Sequence, residues 1–455
     1  MADKQSAQAA QASKPVAEPV ATYKKPTAGN PALRMLGFPN LPSKLPSRNW
    51  IIFLTLSTAF ASAIIYDKRE KKRATAKWHQ VVSELGRQPL TNGNELPRRL
   101  TVFLAAPPGD TLRSAQDYYL EYIKPVLSDS GLDWEFVQGR RQGDIRAAVA
   151  EKIRRHRRET EGIPQEALTT AQRIDAFRRE KGLPEFQGIR GDVVVGRHAW
   201  KEYVRGVHEG WLGPLDCPPH LVVPEALKPE ATEDAEDSGE KKKEKERPPQ
   251  PPSYNTTADY ADADVPRYIP AAFDPAQPVR FPHLLGFSGT FTRLWRYINR
   301  RKLADEVGAE VAAACFAAHR GWALDAAATD GGSVDGDEHA GQNEVQRALA
   351  WEERDWGKWV WAEDKPAAEG ESEEPAKPAK ERVWKHEVVL DARIAERMRR
   401  FELLPEVEEK ARLVVVPEKQ IEGWIKGSLR QLWHWSAHQV KGSQKKPVIS
   451  NVDDE

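Results

Sequence analysis

Cysteine is almost missing from this sequence, with Cys217 and Cys315 as the two copies among 455 residues. They lie far apart, outside any CxxC and without a histidine at ligand spacing, so neither a disulfide framework nor a zinc site is indicated. Net charge is missing too. Lys+Arg and Asp+Glu each total 68, so no global field recruits nucleic acid or an acidic substrate, and any electrostatic role is local. GxSxG, HExxH and a Cys/His signature are also lacking, which leaves hydrolase and metalloprotease chemistry without a motif. His434 and His438 stand four apart on a predicted terminal helix, but no third ligand accompanies them and no metal is expected.

Against these absences stands one long apolar run. Residues 50–66, WIIFLTLSTAFASAIIY, carry no charge, which is the lower end of what a helix needs to cross about 30 Å of hydrocarbon. Trp50 and Tyr66 occupy its ends, where amphipathic rings favour the headgroup level, and Arg48, Lys68 and Arg69 can snorkel outward. These five residues are the expected membrane-interface anchors. Residues 1–30 hold Lys but no Arg and include Asp3 and Glu18, unlike an Arg-rich transit peptide, so targeting is expected to rest on the span and the basic run after it.

The rest reads as α/β. Residues 1–49 form a tail expected to be disordered, and residues 67–99 a basic juxtamembrane helix or linker. Residues 100–105 (LTVFLA) have buried-strand character, Asp110 can cap a helix carrying Leu112, Ala115, Tyr119, Ile123 and Val126, and residues 134–137 return as a strand. Ile145, Val149 and Ile153 stripe a second helix whose other face, Arg146, Lys152, Arg154, Arg155, Arg157 and Arg158, reads as solvated. A third strand at residues 192–195 leads through Gly196 to a helix with Trp200, Tyr203, Val204 and Val207 inward. Residues 100–226 therefore predict a doubly wound domain.

Residues 227–264, with KKKEKER and RPPQPP, cannot bury enough apolar surface to offset chain entropy and are expected to be a disordered insertion. A mixed α/β second part follows over residues 265–440, interrupted by loops at 325–345 and 363–380, before a disordered tail at 441–455. Within it, residues 291–318 are helical in pattern, residues 358–361 and 382–390 predict paired strands, and residues 412–416 a last strand. Pro417 then turns the chain into an amphipathic helix with Ile421, Trp424, Ile425, Leu429, Leu432 and Trp433 on one face.

A nucleotide enzyme would present backbone amides at the end of the third strand, but GRHAW offers one Gly where a phosphate cradle needs several small residues. GFSGTF, residues 286–291, lacks the Lys of a phosphate loop. No catalytic residue and no cofactor are assigned. Tryptophan, at 15 copies, is the abundant signal. Trp351, Trp356, Trp359, Trp361, Trp433 and Trp435 are candidate partner-docking residues, since Trp is enriched at binding hot spots and membrane interfaces.

NPALRMLGFPNLPSKLPSRNW before the span, YDKREKK after it, GDVVVGRHAWKEYVRGVHEGWLGPL and FPHLLGFSGTFTRLWRYINRRKLADEVG together resemble the fungal fifty-four-kilodalton subunit family of the mitochondrial carrier translocase. The resemblance covers roughly residues 30–435 without the acidic insertions. It implies a non-enzymatic, single-span inner-membrane protein with its N-terminus in the matrix and a large domain in the intermembrane space. Such a protein would help insert multi-spanning carriers, and its implied partners are the channel-forming subunit, a further membrane subunit, small chaperone hexamers and inner-membrane lipid, with no nucleic acid. A second likeness is to the first domain of acylglycerol and diacylglycerol kinases, in which a GGDGT turn follows the third strand. GRHAW replaces it here, so a kinase scaffold that now binds proteins is expected. Two further readings compete: a membrane-bound lipid kinase, and a secretory-pathway protein glycosylated at Asn255-Thr256-Thr257. Lys68, Arg69, Lys71, Lys72, Arg73 and Lys77 after the span outnumber Lys44 and Arg48 before it, and a positive-inside count alone would keep the large domain untranslocated.

Overall fold

In a computed structural model the described residues are 47–89, 95–163, 170–183, 186, 188–221, 250–324, 342–361 and 381–440. Two units divide the chain between residues 61 and 62. The first is described from residue 47, where helix α1 (Arg48–Gly86) begins. No Gly or Pro interrupts residues 49–85, so nothing breaks the backbone ladder until Gly86. Trp50, Ile51, Ile52, Phe53, Leu54 and Leu56 are all exposed, and Trp50 meets Phe53 edge-on at 5.7 Å. Among the described residues α1 is the one helix long and apolar enough to cross a membrane, and its apolar window is unburied.

The second unit is built on a four-stranded parallel sheet. Its strands are β1 (Arg99–Ala105), β2 (Asp133–Gly139), β3 (Asp192–Val195) and β4 (Ala276–Val279), ordered β2-β1-β3-β4. Strand alternation sorts the side chains into two cores. Leu100, Val102, Leu104, Val193, Val195 and Val279 face one way, and Phe103, Ala105 and Val194 the other. Both faces are covered, as a parallel sheet requires.

On the first face lie α2 (Leu112–Tyr118), a π segment (Tyr119–Ile123) and α3 (Lys124–Asp129). Pro125, at the start of α3, has no N–H to continue the ladder, which accounts for the π turn before it. The second face is covered by α4 (Asp144–Glu161) and α6 (Arg197–Leu212), with α5 (Thr170–Glu180) between them in sequence. The fourth strand, at Ala276–Val279, comes from beyond residues 100–226, where the sequence places the whole domain.

The juxtamembrane segment also enters the core. Trp78, Val81 and Val82 of α1 are buried on the first face beside Val307 and Val311. Gly308 permits this approach, because a Cβ there would stand 2.3 Å from the Trp78 ring. The Trp78 indole N–H donates to Asp305 at 2.7 Å, so the ring is packed and satisfied at once.

Residues 291–318 are helical as expected, in two pieces, α7 (Thr290–Ile298) and α8 (Arg300–Phe316). Asn299 breaks them: its side-chain amide donates to Trp295 O at 3.0 Å, in competition with the backbone ladder. The freed N–H groups of Arg300 and Arg301 are received by Asp67 at 3.1 and 3.2 Å. At the far end of α8, the Arg98 guanidinium donates to Ala314 O and Cys315 O, both at 3.0 Å, a cation on helix-end carbonyls.

Residues 358–361 form a helical turn, and residues 382–390 run without a ladder partner. Their Trp and Val pattern reflects packing: Trp384 donates its indole N–H to Glu202 at 2.8 Å and accepts Lys201 Nζ on its carbonyl at 3.0 Å. The second sheet instead pairs β5 (His319–Gly321) antiparallel with β6 (Arg399–Phe401). Residues 412–416 are likewise not a strand. Pro405 starts α9 (Pro405–Leu413), whose first turn carries Glu406 and Glu408, both favourable at a helix N-terminus. Helix α10 (Trp424–Val440) follows.

The basic face of α4 is solvated only in part: Lys152 is exposed, but two of its arginines are not. Arg146 and Arg154 are buried and both pair with Glu209 of α6, Arg154 at 2.6 Å. Residues 250–264 of the anticipated insertion are ordered against this face, with Asn255 and Tyr260 buried, while residues 227–249 lie outside the described residues. So do the expectations for residues 1–46, 325–341, 363–380 and 441–455.

Candidate functional site

In a sheet ordered β2-β1-β3-β4 the connections diverge between β1 and β3, and ligands of such sheets bind outside the strand ends at that switch point. Here β3 ends at Val195 and Gly196 turns the chain into α6 with φ +87. The N-terminus of α6 offers backbone donors to an anion. The anion it holds belongs to the chain itself. Glu352 accepts the Arg197 N–H at 2.8 Å on one carboxylate oxygen and the Phe281 N–H at 2.7 Å on the other. Burial outweighs these donors and lifts the Glu352 carboxyl to about 7.

The segment carrying Glu352 is clamped in place. Arg197 donates from Nη1 to Gln346 O at 2.8 Å and from Nε to Glu353 at 2.8 Å, and its Nη1 also reaches Ala348 O. Trp200 donates its indole N–H to Val345 O at 3.0 Å. Leu349 is held at φ 58, a left-handed conformation that costs an L-residue roughly 1–2 kcal/mol and persists where surroundings over-determine it. His198, in the first turn of α6, is bonded through Nε2 to Ala105 O at 2.9 Å. Its burial holds the imidazole down at about 4, hence neutral at pH 7.

The same device recurs at α4. Glu202 is fully buried, accepts the Ile145 N–H at 3.1 Å and the Trp384 indole N–H, and is lifted by burial to about 7. The N-termini of α4 and α6 are thus each answered by a carboxylate of the chain itself. At the switch point the α6 terminus is occupied by Glu352 from the chain itself.

The candidate tryptophans divide. Trp351 lies under two guanidinium groups, Arg280 at 5.6 Å and Arg296 at 5.9 Å. Trp356 stacks on Trp361 at 5.4 Å, and buried Lys201 sits over both rings at 5.4 and 5.8 Å. These three are partly covered by the chain's own cations. Trp433 and Trp435 on α10 are exposed, as are Trp50 and Tyr66, while the Trp359 side chain lies outside the described set. Among the described residues no His/Cys/Asp/Glu group is placed to hold a metal ion. His434 faces Trp433 edge-on, and Cys217 and Cys315 are free thiols, one exposed and one buried. Sequence reasoning missed Glu352, Glu202 and Lys201. Glu352 stands in WEERDW, which reads like any solvated acidic run.

Comparison with known proteins places these features in a family. Residues 30–238 and 224–401 match the family described as inner membrane protein import complex subunit Tim54. A Neurospora crassa protein, mitochondrial import inner membrane translocase subunit tim54, is 47% identical over 93% of this chain and 92% of its own length. The Aspergillus oryzae protein of the same name is 40% identical over 92% and 99%. A Candida albicans relative is 33% identical over 65% of this chain and 85% of its own length.

Proposed function

The chain belongs to the family of inner membrane protein import complex subunit Tim54, and from that premise we propose that it is a non-catalytic subunit supporting insertion of multi-spanning proteins. It is a mitochondrial inner membrane import translocase subunit with one candidate membrane helix among the described residues. In the proposed arrangement α1 spans once, residues 1–47 lie toward the matrix, and the folded unit stands in the intermembrane space. There it meets the channel-forming and other membrane subunits and receives small chaperone complexes. Exposed Trp433 and Trp435 are its candidate docking residues.

The observation that carries the non-catalytic reading is Glu352 seated on the N–H groups of Arg197 and Phe281. It disfavours a lipid kinase, whose nucleotide phosphates would need that same helix terminus, and supports a kinase-like scaffold turned to binding. The secretory reading loses its motif, since Asn255 is buried and its side-chain carbonyl accepts from Arg205 at 2.9 Å. The basic run after the span also has a structural use that weakens the positive-inside count. Arg69 and Arg73 pair with Glu418, Lys71 with Glu121 and Lys77 with Asp305.

Protease protection tests the topology. In mitochondria whose outer membrane alone has been opened, the folded unit should be degraded or clipped by added protease. Complete resistance at that stage, with loss only after inner-membrane lysis, would place the unit in the matrix and overturn the reading.

A further inference from the structure

Beside α1, one residue beyond the aromatic end of the span, lies a cavity of about 800 Å³. Lys68, Lys71, Lys72, His79 and Arg300 line it together with Asp67 and Glu121. Both acids are already engaged. Asp67 accepts the N–H groups of Arg300 and Arg301 and lies 3.3 Å from the Arg301 guanidinium, and Glu121 pairs with Lys71 and lies 3.7 Å from Arg300. Lys68 and Lys72 are exposed and make no ion pair among the described residues. Four cations therefore face two spent anions, with His79 committed to Asp129 at 2.7 Å. Burial draws Lys71 below its ordinary value, as happens to a cation whose water has been partly removed.

A second observation fixes the depth. Helix α7 buries none of its residues, yet it carries Phe291, Leu294 and Trp295 on one face, 83%, 44% and 70% exposed. Phe287, just before it, is also exposed. Just past its C-terminal end, Asp67 beside the end of the span holds the first N–H groups of α8, and the Arg301 guanidinium lies over the Tyr66 ring at 5.4 Å. Nine residues of helix reach only about 13 Å, so all of α7 stays within that distance of the headgroup level. An apolar face that would be a liability in water fits the boundary between headgroups and acyl chains.

We propose that the cavity seats the phosphate of an anionic phospholipid headgroup from the bilayer α1 crosses, with the Phe291, Leu294 and Trp295 face of α7 lying in the same leaflet. Lys68 and Lys72 supply the charge that the chain does not neutralise itself, and Tyr297, lining the cavity from α7, joins the two parts. The inference rests on α1 spanning the membrane, but not on the role in import.

The test uses the full chain in nanodiscs of phosphatidylcholine alone or with phosphatidylglycerol. Native mass spectrometry of the released protein should find phosphatidylglycerol retained several-fold over its share of the disc. Lys68→Gln with Lys72→Gln should remove that preference without lowering the Tm, since both side chains are exposed. A fluorophore on Phe291→Cys, in a Cys217→Ser background, should be quenched by lipids labelled high in the acyl chain. Equal retention of both lipids, displacement by inorganic phosphate alone, or quenching only by aqueous iodide overturns the proposal. Failure of the chain to enter discs at all would instead count against the span and the function built on it.

Discussion

The carboxylate of Glu352 receives the backbone N–H of Arg197 across 155 positions of sequence, at 2.8 Å. Replacing it should therefore be costly although no contact with another molecule is touched. Glu352→Ala strands the Arg197 and Phe281 N–H groups in a closed interior, each unsatisfied donor costing about 1–3 kcal/mol. Denaturant unfolding of the detergent-solubilised full chain should report a loss of about 2–4 kcal/mol. A loss under about 0.5 kcal/mol would mean the carboxylate is not part of the closed structure.

Buried acids and imidazoles oppose each other on the pH axis. Burial lifts Glu202 from 4.5 to about 7, so the stability tied to its neutral form is fully present below pH 4.5 and lost as pH rises through 7. His198 and His208 are depressed from 6.5 to about 4, so their contribution is present above pH 6.5 and lost as pH falls toward 4. The two slopes offset between. Glu202→Gln removes one arm, so its stability relative to the unchanged chain should climb with pH from 4.5 to 7. The climb is at most about 1.4 kcal/mol per pH unit. A Tm difference flat across that window would contradict the assignment.

Glu209 offers a sharper contrast. It lies with Arg146 and Arg154 in the interior, all three side chains nearly inaccessible, and its carboxyl is held below the ordinary value despite burial. Breaking such a group leaves uncompensated charge, so Glu209→Gln should cost about 3–5 kcal/mol. Glu408→Gln, which removes the exposed pair with Arg412 and one charge from the first turn of α9, should change stability by less than about 1 kcal/mol. Equal effects in chemical denaturation would show that the interior cluster is solvated.

Gly308 and Trp78 form the seam between α1 and α8. Gly308→Val must displace the indole, costing about 1–3 kcal/mol, and Trp78→Ala must leave a cavity, costing about 3–5 kcal/mol. Hydrogen exchange should then rise in residues 74–85 before it rises in β1 and β3. Unchanged protection in that segment would argue that it does not contribute to the core.

Elements with a strong period were legible in sequence. β1 and β3 were visible as buried runs, α4 and α6 by their stripes, and α1 by its lack of charge, because local pattern and tertiary environment agree there. What failed were segments whose character is set by a distant partner. Trp384 looks like strand sequence but is placed by Glu202. Arg146 and Arg154 look solvated until Glu209 from α6 meets them. Glu352 occupies the α6 terminus from a run that local pattern reads as surface. Periodicity carries no information about such long-range polar pairs.

Because Trp78, Val81 and Val82 are core residues, the place where the chain may be cut is narrow. A fragment begun at residue 100 would discard a layer of its own interior and expose the first face of the sheet. One begun near Ser62 would keep that layer and, with Asp67, the cap on α8. A protease that severs this protein from its bilayer and leaves a working body behind must therefore strike within the few residues before Asp67. Cleavage even three turns later should liberate a polypeptide that lacks part of its own inner layer.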